Sequence, residues 1–261
     1  MMKLATVGDN CIDFYEDIEK FFPGGNPVNV AVYFVRSGGK ASYTGVVGDD
    51  NYGEIIINSL KQKNVDISYL RVLEGNTAVT KVKINNGERI LGEYKEGVLA
   101  DFELNQNDID FLKSHDLIHT GIFGNMEKYL PEFEKGESKI SFDFSNKFES
   151  EIVDKVIDYL DYAFFSYEKD DRFIRNFMKK IYKRGPQYVV ITLGSNGSLV
   201  YNGDEFFKYG IVEVEVVDTM GAGDSYIAGF LKGQLENKGI YKSMEMGAAS
   251  ASRTLKYSGA W

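Results

Sequence analysis

The feature that most constrains the fold is an alternation of short hydrophobic runs with longer amphipathic stretches. The runs have the length and composition of buried strands, and they are 3–8, 41–48, 116–121, 139–144, 161–165 and 188–194. The intervening segments carry apolar residues at helical spacing, and they are 28–38, 52–63, 150–160 and 171–185. Such alternation predicts an α/β fold with a mostly parallel sheet and helices on both faces.

One segment departs from this alternation. Residues 77–94 alternate with a period of two around Asn86-Gly87, which is typical of a type I′ β-hairpin. A hairpin added to an α/β core can form a sheet edge or a flap over a cleft, and the pattern favours neither. No internal repeat or linker-like stretch divides the chain, so we expect one domain over residues 1–261.

Composition excludes several classes of function. The formal net charge of −9 argues against a nucleic-acid partner, whose phosphates require a basic face. No hydrophobic run is long enough for a membrane span or a signal peptide, and we therefore expect no membrane partner and a cytoplasmic location. The single cysteine, Cys11, cannot form an intramolecular disulfide, which fits a reducing compartment.

The string 218–230, DTMGAGDSYIAGF, carries the strongest chemical signal. A strand-like run at 212–217 leads into three small residues, and a helical pattern begins at Asp224. Small residues let consecutive backbone amides converge on an anion at a helix N-terminus. Asp224 has two interpretations, a helix-capping carboxylate or the group that accepts the proton of an attacking hydroxyl. The string thus combines the dipolar cradle and the carboxylate that phosphoryl transfer requires.

A second string, 24–53, lies near the N-terminus. Gly24-Gly25 precede a helical pattern that contains Asn29. The glycines permit close approach of a ligand to the backbone, and an asparagine can both donate to and accept from hydroxyl groups. Taken alone, this string is also typical of a simple turn followed by a helix cap.

Together the two strings resemble the two signatures of the ribokinase-like (PfkB) carbohydrate kinases. The resemblance extends over essentially the whole chain, and it implies a ribokinase-like fold with a small β-sheet lid from segments near 12–23 and 75–100. It also implies an ATP-dependent sugar kinase with Asp224 as the catalytic base. The amides that would bind the transferring phosphoryl group are those of Gly221, Ala222 and Gly223.

The resemblance implies roles for further residues. Those expected to bind the sugar are Asp13, Gly24, Gly25, Asn29 and, on the lid, Glu93 and Glu96. Those expected to bind the nucleotide are Thr192, Gly194 and Gly197, in a loop that is equally typical of a hairpin turn, and Lys147. Asp218 and Gly259 resemble parts of a monovalent-cation loop, with potassium as the candidate ion. For Asp9 we favour the interpretation of a turn residue at a strand end.

Two family motifs are altered. Where many relatives carry Asn-x-x-Glu for hydrated magnesium, this chain has Ser166-Tyr167-Glu168-Lys169, so only Glu168 remains as a carboxylate. Lys147 stands where relatives often have an arginine, and it would contact phosphate as a point charge without arginine's fork. Mg²⁺ is still expected with ATP, because the phosphate charges must be neutralised.

The opening residues and the runs 92–102 and 142–145 are similar to those of family members acting on fructoselysine, the Amadori adduct of fructose and lysine. Phosphorylation at its 6-hydroxyl is therefore expected. The adduct carries a cationic amine, which Glu93, Glu96 and Asp101 of the lid could pair with, although such acids also occur on solvated hairpin faces. The alternative substrates are ribose, fructose, a phosphosugar or a nucleoside. Pairing of lids into a homodimer is a further expectation.

Other classes of protein fit less well. The first strand lacks the G-x-G-x-x-G of dinucleotide-binding enzymes, and no P-loop motif is present. His115 and His119 have no accompanying ligands for zinc, which argues against a zinc site. His119 could face the substrate cleft, and we favour the alternative of a packed or polar strand residue. A sugar-binding protein that has lost catalysis remains an alternative, supported by the altered magnesium motif and opposed by the intact GAGD.

Overall fold

The computed structural model describes the backbone of residues 2–85 and 88–261, and their side chains outside 84–91. The strands are β1 Lys3–Val7, β2 Cys11–Tyr15, β3 Lys20–Gly24, β4 Lys40–Gly48, β5 Leu70–Leu73, β6 Val79–Asn85, β7 Glu88–Lys95, β8 Leu117–Gly121, β9 Lys139–Asp143, β10 Tyr162–Ser166, β11 Tyr188–Thr192, β12 Ser198–Tyr201 and β13 Phe206–Tyr209. The α-helices are α1 Asn26–Arg36, α2 Asn51–Gln62, α3 Gln106–Lys113, α4 Leu130–Glu134, α5 Glu151–Val156, α6 Arg172–Tyr182, α7 Ala222–Leu235 and α8 Ile240–Thr254.

Nine strands form one sheet in the order β13-β12-β11-β10-β9-β8-β1-β4-β5. The strands from β5 to β11 along this order pair in parallel, and β12 and β13 add an antiparallel edge. All six strands predicted from the hydrophobic runs lie in this sheet, so the predicted α/β class is confirmed. Because strands of a parallel sheet end at the same edge, their carboxyl ends bring distant loops together.

Two hydrophobic cores cover the two faces of the sheet. One core packs against α1, α2, α7 and α8, and the other packs against α3, α4, α5 and α6. Neighbouring residues of one strand serve opposite cores, as Phe164 and Phe165 of β10 show. Among the described residues, the helices are too short or too polar to cross a membrane.

The two segments predicted to form the lid build a separate four-stranded sheet in the order β3-β2-β6-β7. The strands β2 and β3 pair antiparallel, as do β6 and β7, while β2 and β6 join the two pairs in parallel. The pairing of β6 with β7 confirms the predicted hairpin strands. The predicted turn at Asn86-Gly87 lies outside the described residues.

The strand predicted at 212–217 is not present. The alternating valines that suggested it, Val212, Val214 and Val216, all line one cavity instead of packing on a sheet. The backbone N–H of Val217 donates to the carbonyl of Leu255, beyond the end of α8. The period of two therefore comes from a segment that presents every second side chain to a cavity.

Candidate active site

Asp224 lies in the first turn of α7, directly opposite the start of α1. Asn26 Nδ2 donates to one carboxylate oxygen at 2.8 Å, and Asn29 Nδ2 donates to the other at 2.7 Å. Gly221 caps α7 in the left-handed conformation at φ 72°, which glycine adopts without strain. The predicted catalytic aspartate is thus held at a helix N-terminus by two amides from another helix.

Asn26 joins Asp224 to a second carboxylate. Its Nδ2 also donates to Asp143 Oδ2 at 2.9 Å, at the end of β9, while its Oδ1 lies 3.0 Å from His119 Nε2. Because carboxylates only accept, the Asn26 amide oxygen must face the histidine, and His119 Nε2 must carry a proton. His119 Nδ1 then accepts from the Ser141 hydroxyl at 3.0 Å. Burial lowers the pKa of His119 to about 3, so the ring is neutral.

Three carboxyl groups share this part of the structure. Burial raises the pKa of Asp224 to about 6, and burial with the charge of Asp224 raises the pKa of Asp143 to about 7. Burial also raises the pKa of Asp9 to about 6, and its Oδ2 accepts from the backbone N–H of Asn26 at 3.3 Å. Asp9 Oδ1 is buried and has no hydrogen-bond partner among the described residues. Such a cluster of raised pKa values is typical of functional sites.

This cluster was only partly predictable. The interpretation of Asp9 as a turn residue overlooks its place beside Asn26, and neither Asn26 nor Asp143 was singled out. Both lie within strings that drew attention, GGNPVN and DFSNK, yet no rule of spacing shows which polar residue of each faces the catalytic aspartate. His119 is buried, as predicted for a packed strand residue.

The predicted sugar-binding residues flank this cluster. Asp13 is buried on β2, whose Cys11 pairs with Gly24 of β3, and a Cβ added at Gly24 would lie 2.4 Å from Asp13 Oδ2. At Gly25 an added Cβ would lie 2.7 Å from Asn10 Cα and 2.8 Å from the Asp9 carbonyl oxygen. Gly25 is therefore required, because it has a φ of +108° and lies against the backbone of the loop after β1, whereas a side chain at Gly24 would have to displace the Asp13 carboxylate.

The two acidic lid residues have different surroundings. Glu93 is exposed and forms ion pairs with Lys81 at 2.9 Å and Lys95 at 3.7 Å. Glu96 accepts instead from Asn125 Nδ2 at 3.3 Å. Tyr94 lies between Glu93 and Glu96 on the chain. Burial and the nearby negative charges, including those of Asp9 and Glu96, raise its pKa. Asp9 and Glu96 therefore both lie close enough to Tyr94 to act on its pKa, whereas Glu93 is paired with lysines.

A cavity of about 470 Å³ contains the predicted nucleotide loop. Its lining includes Thr192, Gly194 and Gly197, and it extends to Ala222 and Gly223 at the start of α7. The rest is mainly apolar, from the 211–216 segment and α8. Gly194 to Asn196 form a 3₁₀ turn between β11 and β12, so both interpretations of this loop, hairpin turn and cavity wall, describe it.

One of the three backbone amides predicted to bind the phosphoryl group, those of Gly221, Ala222 and Gly223, already has a hydrogen-bond partner within the chain. The Ala222 amide donates to the Thr219 carbonyl at 3.3 Å, whereas a side chain added at Gly223 would meet open space. The first amides of a helix have no partner within the helix, so those near Gly223 face the cavity end with a positive dipole. Lys147 and Glu168 are exposed and do not line this cavity.

The C-terminal residues return to the site. Asp218 accepts from the backbone amides of Met220 and Gly259, each at 2.8 Å, so the two residues of the predicted cation loop are in contact. Trp261 Nε1 donates to Asn29 Oδ1 at 2.7 Å, which directs the Asn29 Nδ2 group toward Asp224. The sequence held no signal for this role of Trp261.

The described side chains fit a Mg²⁺ ion that is coordinated mainly by water and nucleotide phosphates. Across residues 2–85 and 88–261, no group of three or more His, Cys, Asp or Glu side chains could hold an ion. Glu168 offers one exposed carboxylate beside Tyr167 of the cavity wall. A hydrated Mg²⁺ bound through nucleotide phosphates and one carboxylate fits this arrangement.

Comparison with known proteins gives one consistent result. The chain is 42% identical over 261 residues to a fructoselysine 6-kinase of Shigella flexneri, covering 100% of both chains. It is 36% identical over 265 residues to a fructosamine kinase of Bacillus subtilis, covering 100% of this chain and 93% of that one. Among solved structures, ribokinase of Arabidopsis thaliana complexed with ribose and ATP superposes with a TM-score of 0.90 at 20% identity, covering 99% of this chain and 94% of that one. The model of the pfkB family of carbohydrate kinases matches residues 1–261, and the chain belongs to that family.

Proposed function

We propose that this enzyme transfers the γ-phosphoryl group of ATP to the 6-hydroxyl of fructoselysine. The observation that carries the reaction class is the end of the 470 Å³ cavity at Ala222 and Gly223, directly before Asp224. A nucleotide in this cavity would direct its phosphates at the α7 N-terminus, beside the carboxylate. The substrate follows from the kinases of fructoselysine and fructosamine to which the chain is 42% and 36% identical.

Asp224 is positioned to accept the proton of the attacking hydroxyl. Each of its oxygens accepts one amide hydrogen bond, from Asn26 or Asn29, and a carboxylate oxygen can accept a second. With a pKa raised to about 6 it is mostly ionised at neutral pH and is a stronger base than an exposed aspartate. Because phosphoryl transfer proceeds through a loose transition state, the proton moves late, and positioning of the hydroxyl contributes most of the rate.

Bound ions supply electrostatic neutralisation. Mg²⁺ carried by ATP would offset the phosphate charge, with Glu168 as the candidate carboxylate and Lys147 as a candidate phosphate contact, both from outside the cavity lining. For potassium, the contact between Asp218 and Gly259 supports a loop that a monovalent cation could stabilise. The ions would thus neutralise charge, whereas proton transfer and sugar binding would depend on protein side chains.

The lid supports a cationic substrate. Glu96 and Asp9 both act on Tyr94 and raise its pKa, and we take Glu96 as the candidate partner of the secondary amine in fructoselysine. Ile18 and Phe21 of the lid are 44% and 41% exposed, which supports pairing of two lids into a homodimer. Sedimentation of a monomer at micromolar concentration would contradict that pairing.

A substrate panel tests the proposed function. ADP formation is measured with magnesium-ATP and, in turn, fructoselysine, fructose, ribose, fructose 6-phosphate and a nucleoside. We expect kcat/KM for fructoselysine to exceed the others by at least about 100-fold, because buried polar partners reject analogues that lack the matching group. Equal or higher kcat/KM for fructose or ribose would refute the substrate. Tight sugar binding without turnover of any sugar would favour a binding protein.

A further inference from the structure

A second cavity, of about 480 Å³, lies near the carboxyl ends of β4 and β5, under the turn that follows β7. Its lining includes Val46, Arg71, Asp101, Glu103, Asn125 and Lys128. We infer that this cavity binds the α-amino acid end of the substrate, its carboxylate and ammonium groups. The inference rests on the proposed function, because only a fructose–amino acid adduct has such an end.

The cavity carries charges of both signs. Lys128 Nζ lies 2.6 Å from Glu103 Oε1, and the two side chains are 54% and 72% exposed. A pair this exposed contributes little free energy and can exchange its partners. A zwitterion offers matching partners, a carboxylate for Lys128 and an ammonium group for Glu103 or Asp101. Exchange therefore replaces one exposed ion pair by two.

Arg71 provides a second, better fixed cation. Its Nη2 donates to the Glu103 carbonyl and lies 3.5 Å from Asp108, whose side chain is only 3% exposed. Among the described side chains its Nε is buried without a hydrogen-bond partner, while the side chain as a whole is 37% exposed, so the guanidinium group is not saturated and part of it is accessible. A guanidinium group has five N–H donors and binds carboxylates in a forked geometry. Arg71 is thus the candidate for orienting the amino acid carboxylate.

The cavity adjoins the catalytic cleft. Asn10, which follows Asp9, donates from Nδ2 to the Val46 carbonyl at 2.7 Å. Asn125 of the cavity wall donates to Glu96, the lid carboxylate proposed to pair with the substrate amine. The same lid residue therefore connects the expected position of the amine with the second cavity.

The distances are compatible with one bound substrate. Asp143, bridged to Asp224 by Asn26, lies on β9, and β5 lies four strands away along the sheet. With strands spaced by about 4.8 Å, the gap between β4 and β5 lies roughly 14–19 Å from β9. From the 6-oxygen of the sugar to the α-carbon of lysine is about 11 bonds, or roughly 13 Å at the rise per bond of an extended chain. A hydroxyl at Asp224 thus places the amino acid group near this cavity.

Two adducts with the same sugar and amine separate this inference from the proposed function. They are fructoselysine and the fructose adduct of n-pentylamine, which lacks the carboxylate and the α-amino group. We expect the wild type to favour fructoselysine about tenfold in kcat/KM, which corresponds to one charge-assisted hydrogen bond. We expect Lys128→Gln and Arg71→Lys each to reduce this preference at least threefold, mainly through KM for fructoselysine.

The control is Lys135→Gln. Lys135 lies outside the cavity and forms a similarly exposed pair with Glu132 at 2.6 Å, so its replacement should leave the preference unchanged. Equal kcat/KM for the two adducts in the wild type would overturn the inference while the proposed function stands, as would equal losses for both adducts in Lys128→Gln and Arg71→Lys. Turnover of neither adduct would refute the proposed function, and the inference with it.

Discussion

Replacing Asp224 by asparagine should abolish turnover and stabilise the protein at neutral pH. The side chain keeps its shape and loses only its charge and basicity. A general base contributes about 10²- to 10⁴-fold to the rate, so we expect kcat to fall by at least about 100-fold. The gain in stability follows from the raised pKa of this carboxyl group, because desolvation disfavours its charged form.

The magnitude follows from the difference between the folded and unfolded states. A pKa raised from 3.8 to about 6 corresponds to about 3 kcal/mol of disfavoured ionisation, which we reduce to about 2 kcal/mol because Asp224 is partly accessible. The new amide group turns one donor toward Asn26 or Asn29, and loss of that hydrogen bond offsets about 1 kcal/mol. The net gain is about 1 kcal/mol, or roughly 2–4 °C in Tm for a chain of this size.

The pH dependence gives the sign of the effect. A carboxyl group whose folded pKa is raised stabilises the fold below its unfolded pKa, and this contribution is lost as pH rises from about 4 through 6. Asp224→Asn should therefore exceed the wild type in Tm at pH 7.5 and lose this advantage at pH 4. Thermal melts at both pH values and ADP release measure the two effects.

The exposed Asp110→Asn serves as the matched control, with Tm and turnover unchanged. A Tm of Asp224→Asn well below that of the wild type at pH 7.5 would refute the argument from burial. Turnover within tenfold of the wild type would refute the role of Asp224 as the base.

Two further predictions concern the supports of the site. His119→Leu should lower kcat about tenfold with little change in KM for ATP, because Asn26 Oδ1 loses its donor and the amide can turn away from Asp224, whereas His119→Gln should restore most of the rate. Because the buried histidine is neutral, the wild type should also lose stability as pH falls from 6.5 toward 3, and His119→Gln should not. Equal kcat for His119→Leu and the wild type would contradict this positioning role. Ala251→Phe should fill the 470 Å³ cavity, where the nucleotide is proposed to bind, and raise KM for ATP more than about tenfold. Calorimetry should show unchanged sugar binding by this variant. An unchanged KM for ATP would place the nucleotide elsewhere.

Much of the fold could be predicted because its signals are local. Hydrophobic runs of strand length and helical periodicity depend only on neighbouring residues, and all six predicted strands lie in the main sheet. The strand predicted at 212–217 failed for an instructive reason. Its alternation is real, but the valines face a cavity, and periodicity does not reveal what a face is buried against.

The candidate site divides in the same way. The GAGD and GGN strings identified Asp224 and Asn29, because a glycine-rich turn before a helix is encoded within a few residues. Thr192, Gly194 and Gly197 line one cavity, and their contact with a nucleotide stays a prediction. Lys147 and Glu168 were assigned by motif position alone, and they lie exposed outside that cavity.

By itself the sequence determined the class of fold and the glycine-rich helix N-terminus with Asp224 in its first turn, since each depends on residues adjacent in the chain. Only the tertiary structure decided that Asn26 joins Asp143 to Asp224, that His119 orients this amide and that Trp261 holds Asn29. These contacts span up to 232 positions of the chain. They exist because parallel strands end at one edge of the sheet, where burial also raises the pKa values on which the proposed chemistry depends.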